Sequence, residues 1–236
     1  NIYSLMDFKA NEGKNLAIEI NGEKWLRIPI HTHVVMRDDD IFSDVVDKYT
    51  KDIRQAGDIV FCSEKIIAIT QGRSYPISEI KPSALAKFLV KFVYKSPHGI
   101  GLGSPYTMQL ALEDVGIPRI LLGCVAAALT KPFGVRGVFY KVCGKKAYAI
   151  DGPCDYTLPP YNKYAKKAPL KPNKVAREMK NKLGNEFIVL DANDLNVDIL
   201  GKSSKNLDDK FLKALFKDNP LGQSSQQTPI AIVRKA

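Results

Sequence analysis

Phe187-Ile-Val-Leu-Asp191-Ala-Asn193-Asp194 is an unbroken apolar run that ends in two acids and an amide. Such a run reads as a buried strand. Open α/β sheets gather ligands at the carboxyl ends of their strands, which is where Asp191, Asn193 and Asp194 fall. Carboxylates and a carboxamide there suit a hard, oxygen-preferring cation such as Mg2+ or Mn2+. The same residue types also cap turns after strands, and spacing alone favours that role.

Further along the chain, 211–216 reads as a short helix and Thr228-Pro-Ile-Ala-Ile-Val-Arg234 as a closing strand. Before the quoted run, 173–183 reads as a basic helix ended by Gly184. The Pro-rich stretch 157–172 must run extended. Nearer the start, Leu16-Ala-Ile-Glu-Ile20, the turn Asn21-Gly22 and Trp25-Leu-Arg-Ile-Pro-Ile30 form a hairpin signal. Apolar residues at 41, 45, 46, 49 and 53 give helical spacing, behind an acidic start at Asp38, Asp39 and Asp40. Ile59-Val-Phe-Cys62 reads as a buried strand, and Lys65-Ile-Ile-Ala-Ile-Thr70 continues as a second apolar run. A helix from about 82 would place Leu85, Phe88, Leu89 and Phe92 on one face. Another helix is expected over 106–115, a core-length apolar stretch over 119–129, and a strand over 137–142. Strands and helices interleave, so the fold class is α/β or α+β, with a mixed β-sheet and flanking helices.

The chain has 236 residues, 45% hydrophobic and 25% charged, which are ordinary globular values. They exclude disordered, collagen-like and coiled-coil classes. No apolar run reaches membrane-spanning length, and the first residues lack a basic-then-apolar signal pattern, so a cytoplasmic location is expected. The formal charge of +10 favours an anionic partner. Cys62, Cys124, Cys143 and Cys154 match no zinc spacing and read as scattered reduced thiols.

Four other places could carry chemistry. Tyr148-Ala-Ile-Asp151 reads as a short apolar strand ending in an acid, and two such strand ends side by side could share metals. The segment from Gly222, Gln223, Ser224 and Ser225 to Thr228 offers amides and hydroxyls to phosphates or a base, or is an ordinary surface loop. His31-Thr32-His33 projects two rings to one face of a strand, but a third ligand is not evident, and a phosphate contact or a half-buried pair is the better reading. Gly99-Ile-Gly101-Leu-Gly103 lacks the surroundings of a phosphate or nicotinamide loop. Basic runs at 141–146 and 163–182 read as solvated faces or as a rim that attracts an anionic substrate.

Several stretches together resemble the coenzyme F-420 γ-glutamyl ligase (CofE-like) family. They are Gly57-Asp-Ile-Val-Phe-Cys-Ser-Glu-Lys65 with the later Gly72-Arg73, Ile188-Val-Leu-Asp191-Ala-Asn193-Asp194, and Leu221-Gly222-Gln223 leading into Pro229-Ile-Ala-Ile-Val-Arg234. Asp151 in Ala-Ile-Asp, and Ile28-Pro-Ile-His-Thr-His33, fall in the same order as in that family. The likeness spans about 25–236, with 1–24 as an extension and an elaborated insert near 97–145.

The resemblance implies a GTP-driven (or ATP-driven) amide ligase. It would use Mg2+ or Mn2+, join L-glutamate to a carboxylate acceptor through an acyl phosphate, and act as an intertwined homodimer. By the same resemblance Asp151, Asp191 and Gln223 hold metal, with Asn193 or Asp194 assisting, and Asp151 and Asp191 are the catalytic pair. His31, Thr32, His33, Ser63, Glu64, Lys65, Gly222, Gln223, Ser224 and Ser225 line the nucleotide. Gly152-Pro-Cys-Asp155 and Asp194-Leu depart from the family pattern, which leaves the acceptor open. Two other readings stand beside this one: a catalytically silent nucleotide-binding module on the same fold, and a basic nucleic-acid-binding protein.

Overall fold

The structure is a computed structural model that describes residues 8–93, 101–135, 137–155, 157–194, 196–222 and 225–236. The chain forms two compact units, one from 1–71 with 169–236 and one from 72–168.

The first unit opens with β1 (Ala17–Ile20) and β2 (Glu23–Ile30), an antiparallel hairpin turned at Asn21-Gly22 as its sequence requires. A π-helical segment, Ile41–Asp47, runs into α1 (Lys48–Thr50). Asp40 starts it by accepting from the N–H groups of Phe42 and Ser43, while Asp44 accepts from Asp40 N–H in return. β3 (Ile59–Ser63) leads directly into α2 (Glu64–Thr70).

The second unit contributes, in chain order, β4 (Ser74–Pro76), α3 (Ala84–Leu89), α4 (Pro105–Val115), α5 (Ile117–Thr130), α6 (Val138–Cys143), α7 (Lys145–Tyr148) and β5 (Tyr164–Lys166). The chain then re-enters the first unit with α8 (Pro172–Leu183), β6 (Glu186–Ala192), β7 (Val197–Lys202), α9 (Asp209–Leu215) and β8 (Ile230–Lys235).

The sheet of the first unit has six strands in the order β1-β2-β8-β3-β6-β7. Only β3 and β6 pair in parallel, and β8 is antiparallel to both of its neighbours. The sheet is therefore mixed, as the interleaved sequence pattern leads one to expect. Phe61, Ile188, Leu190, Ala231 and Val233 of the central strands bury against Leu212, Leu215 and Phe216 at α9. Helix α8 ends at Gly184, which takes the left-handed conformation and donates to Lys180 C=O. Its first residue, Pro172, lies so close to β7 that a Cβ on Gly201 would come within 2.4 Å of the Pro172 carbonyl carbon. Gly201→Ala is therefore expected to destabilise the protein by about 2–3 kcal/mol, because one backbone must move off another, and urea unfolding measures this directly.

In the second unit, β4 and β5 pair as a two-stranded ribbon. Met108, Leu110, Ala111, Ile120, Cys143 and Ala147 form the centre of its core. Helices α5 and α6 approach closely at Gly123, where a Cβ would lie 2.5 Å from Cys143 Sγ.

Several local expectations are corrected. Residues 65–70 form the helix α2 and not a strand, with Ser63 as its N-cap. The stretch 137–142 is helical as α6, between Gly137 and Gly144 with their positive φ. The segment before Asp151 is α7 and a turn, and Asp151 makes only an isolated bridge to Lys166. Phe88 and Phe92 do not share the buried face of Leu89 but stack on each other in the open. His31 and His33 lie beyond the end of β2.

Candidate functional site

Strands β2, β3 and β6 all run the same way, because β8 is antiparallel to β2 and β3 while β6 is parallel to β3. Their carboxyl ends thus share one edge of the sheet, together with the start of β8. His31–His33 follow β2, Ser63 with Glu64 and Lys65 follows β3, and Asp191 lies near the end of β6. The pairings Ile30 with Ile230 and Ser63 with Leu190 fix how these ends align.

Backbone bonds lace this edge. Thr32 N–H donates to Gln227 C=O at 3.1 Å, and Gln227 Nε2 donates back to Thr32 C=O at 2.5 Å. Ser63 N–H donates to Pro229 C=O at 2.8 Å. Thr228 Oγ1 donates to Leu221 C=O at 2.8 Å, closing the loop that starts at Gly222. Gly222 has a φ of 77° and is pressed on by Gln226. Ser225 is exposed, while Gln223 and Ser224 lie outside the described residues.

His33 is held at both ring nitrogens, by Tyr49 OH at 2.8 Å and by Asp39 Oδ2 at 2.9 Å. It is therefore a satisfied, half-buried imidazole that fixes the course of 31–40. Burial raises the Asp39 carboxyl, but the Met36 N–H and the His33 ring outweigh it and hold it below the usual carboxylate value. His31 is exposed and Thr32 buried.

The hairpin turn after β6 divides the acidic cluster by role. Asn193 Oδ1 accepts from Asn196 N–H at 2.9 Å, so Asn193 caps the turn. Asp194 accepts from Lys14 Nζ at 3.0 Å and from Asn219 Nδ2 at 3.1 Å. The Lys14 ammonium holds the Asp194 carboxyl below its ordinary value, and Asn219 helps. Asp191 stands within the strand, directly across from Asp198 of β7. Lys213 covers Asp198 at 3.0 Å. Asn196 Nδ2 adds a second bond to Asp198 at 3.1 Å, so the carboxylate across from Asp191 is already answered.

A segment before β1, within the 1–24 extension, also reaches this edge. Asn11 Nδ2 donates to Pro220 C=O and Thr228 Oγ1, each at 2.8 Å, and Lys14 also reaches Asp218 C=O at 2.9 Å. Buried Arg27 forks onto Asp218 and bonds Leu215 C=O at 3.0 Å. Burial raises the Asp218 carboxyl, yet Arg27 wins and lowers it below the ordinary value. Asn219 is wholly buried with a φ of 49°, and its Oδ1 has no hydrogen-bond partner among the described residues. No local pattern announces Lys14, Asn11 or Asn219.

In the second unit, exposed Asp151 exchanges backbone bonds with Lys166 at 2.9 and 3.1 Å. Arg73 donates to Asp114 at 2.5 Å and to Ala168 C=O. All four cysteines are free thiols. Burial raises the Cys62 thiol, with Glu64 adding to it, and burial pushes Cys143 up to about 11, so neither supplies a thiolate at neutral pH.

Among the described residues, no three His, Cys, Asp or Glu side chains gather as a ready metal cage. A magnesium-type site does not require one, since this ion keeps several waters and is held by one or two carboxylates plus phosphate oxygens. Asp191, a carboxylate near the carboxyl end of β6, fits that more open donor set.

Mixed sheet, co-directional strand ends and a polar edge define an α/β protein of the kind that holds ligands at strand carboxyl ends. Residues 29–192 match the model of the family described as F420-0:gamma-glutamyl ligase, and the chain belongs to that family of ligases. The match runs from the last two residues of β2 through Ala192 and ends before the 193–196 turn, the loop from Gly222 and β8. No curated protein matches the chain.

Proposed function

We propose that this protein is a nucleotide-driven γ-glutamyl ligase that joins L-glutamate to a carboxylate acceptor of the F420-0 type. The observation that carries the reading is the meeting of three co-directional strand ends, with Thr32, Ser63, Lys65 and Asp191, at one edge of the sheet. The family's description supports the acceptor and the amino acid.

In this reading the acceptor carboxylate oxygen attacks the γ-phosphorus of GTP, the bond to the nucleoside diphosphate breaks, and an acyl phosphate forms. The glutamate amine then attacks the acyl carbon, inorganic phosphate leaves, and the amine gives up a proton. Neither step needs a covalent enzyme nucleophile, in keeping with the burial that raises the Cys62 and Cys143 thiols. Ser63 and Lys65 offer a hydroxyl and an ammonium to phosphate oxygens, with His31, Thr32 and the Gly222–Ser225 loop alongside. Asp191 would hold Mg2+ or Mn2+, and a cation there would neutralise charge on the phosphate oxygens.

A thermal-shift panel of GTP, ATP and GDP, each with and without Mn2+, tests the reading. A nucleotide at 100 times its Kd adds about 2.7 kcal/mol, which for a chain of this size raises Tm by roughly 5–10 °C. The expected result is a shift with GTP that needs the metal. A flat response to every nucleotide at every metal concentration overturns the nucleotide site.

A further inference from the structure

The chain's charge is not spread evenly. The second unit, 72–168, holds 14 Lys and Arg against 5 Asp and Glu, a net +9 out of the whole chain's +10. Between Asp114 and Asp151 the sequence has six Lys or Arg and no acid at all. The same stretch carries the apolar helix α5.

Only Ile120 and Gly123 of α5 are buried. Ile117, Leu121, Leu122, Val125 and Leu129 are exposed, Leu122 to 61% and Leu129 to 67%, and Phe133 just beyond is 83% exposed. At 100° per residue these five helical positions fall within a sector of about 140°, with no polar residue inside it. The helix is apolar on both its inward and outward sides, which a solvated surface helix is not. An apolar face this continuous marks an interaction surface.

Its rim is basic. Arg119 lies on α5 beside the apolar sector, Lys131 follows its last residue, and exposed Lys141 stands on α6, which packs against α5 at Gly123. This charge opposes a second copy of the same face, since two such rims repel. Nucleic acid would use the charge and leave the apolar sector in water. An anionic bilayer surface answers both features: acyl chains take the apolar sector, and anionic headgroups take the lysines. We infer that α5 with its basic rim is a peripheral docking face for anionic lipid, with the helix lying in the interface plane. No helix among the described residues is long and apolar enough to cross a membrane. The inference does not rest on the ligase reading.

Cosedimentation of the whole protein with large unilamellar vesicles tests it, using equimolar phosphatidylglycerol and phosphatidylcholine against phosphatidylcholine alone. The expected result is partitioning at least tenfold stronger onto the anionic vesicles, weakened by added salt. Leu122→Asp with Leu129→Asp should lose at least tenfold, with Tm unchanged because both side chains are already in water. Lys131→Glu with Lys141→Glu should lose as much. Absence of sedimentation with either vesicle overturns the inference. So does full binding by the aspartate variant, which would mean adsorption by charge alone. A dimer in sedimentation velocity that the aspartate variant converts to monomer, with no vesicle binding, would assign the face to a second copy instead.

Discussion

Asp191→Ala is expected to lower turnover by about 10²–10³-fold, the usual loss when one group that stabilises transition-state charge is removed. Glutamate-dependent release of inorganic phosphate, with mass spectrometry of the acceptor, measures it. The fold should be indifferent to the change. Asp191 lies near the end of β6 opposite Asp198, which Lys213 already pairs, so Tm should change little. The two readouts therefore separate: loss of rate without loss of stability supports a role at the site, and retention of rate within threefold removes Asp191 from it. Asn193→Ala makes the contrast. Its side chain caps the turn, so that variant should lose stability by about 1 kcal/mol and keep most of its rate.

The largest loss of stability is expected at Arg234. Its Nε and Nη2 fork onto the two oxygens of Asp58 at 2.8 and 2.7 Å, and Nη2 also reaches Ile53 C=O at 2.8 Å. Asp58 is only 2% exposed, and its one other side-chain contact of this kind is the Gln55 N–H at 2.7 Å. Arg234→Ala strands that carboxylate in the interior. Breaking a buried pair in this way costs about 3–5 kcal/mol, or on the order of 10 °C in Tm for a chain of this length. Exposed pairs such as Lys235 with Glu23 should cost less than about 1 kcal/mol when broken. Equal losses at Arg234 and Lys235 in chemical denaturation would refute the distinction.

Where an element could be read from the sequence, its signal was local. The Asn21-Gly22 turn and the basic helix ending at Gly184 carry punctuation of their own, and the apolar runs of β3, β6 and β8 are strands as read. The run 65–70 could not be read so, because a short apolar β-branched segment fits strand and buried helix alike. The deciding signal was Ser63 followed by Glu64, a helix start. The aromatic stretch 137–142 carries strand-forming residues that packing against α5 overrides.

At the site, the sequence marked which strand ends carry polar residues. It favoured turn capping for this Asx cluster, which Asn193 bears out, but could not tell that Asp194 is occupied by Lys14 or that His33 is locked between Tyr49 and Asp39. Those contacts join residues far apart in the chain or settled by tertiary packing, and no periodicity records them. The buried Arg27 with Asp218 and Asp58 with Arg234 were invisible for the same reason.

The place of β8 between β2 and β3 sets an order of events during synthesis. β2 and β3 do not bond to each other, and each waits for residues 230–235. Ile28 must find Ile232, a pairing almost as long-range as the chain allows, and such pairings form slowly. The whole of 72–168 leaves the ribosome before that partner exists, so the inserted unit is complete while the sheet around it is still in two pieces. A nascent chain halted before residue 230 would hold β1–β2 and β3–β6–β7 as separate ribbons with open edges. Open edges recruit strands from other chains.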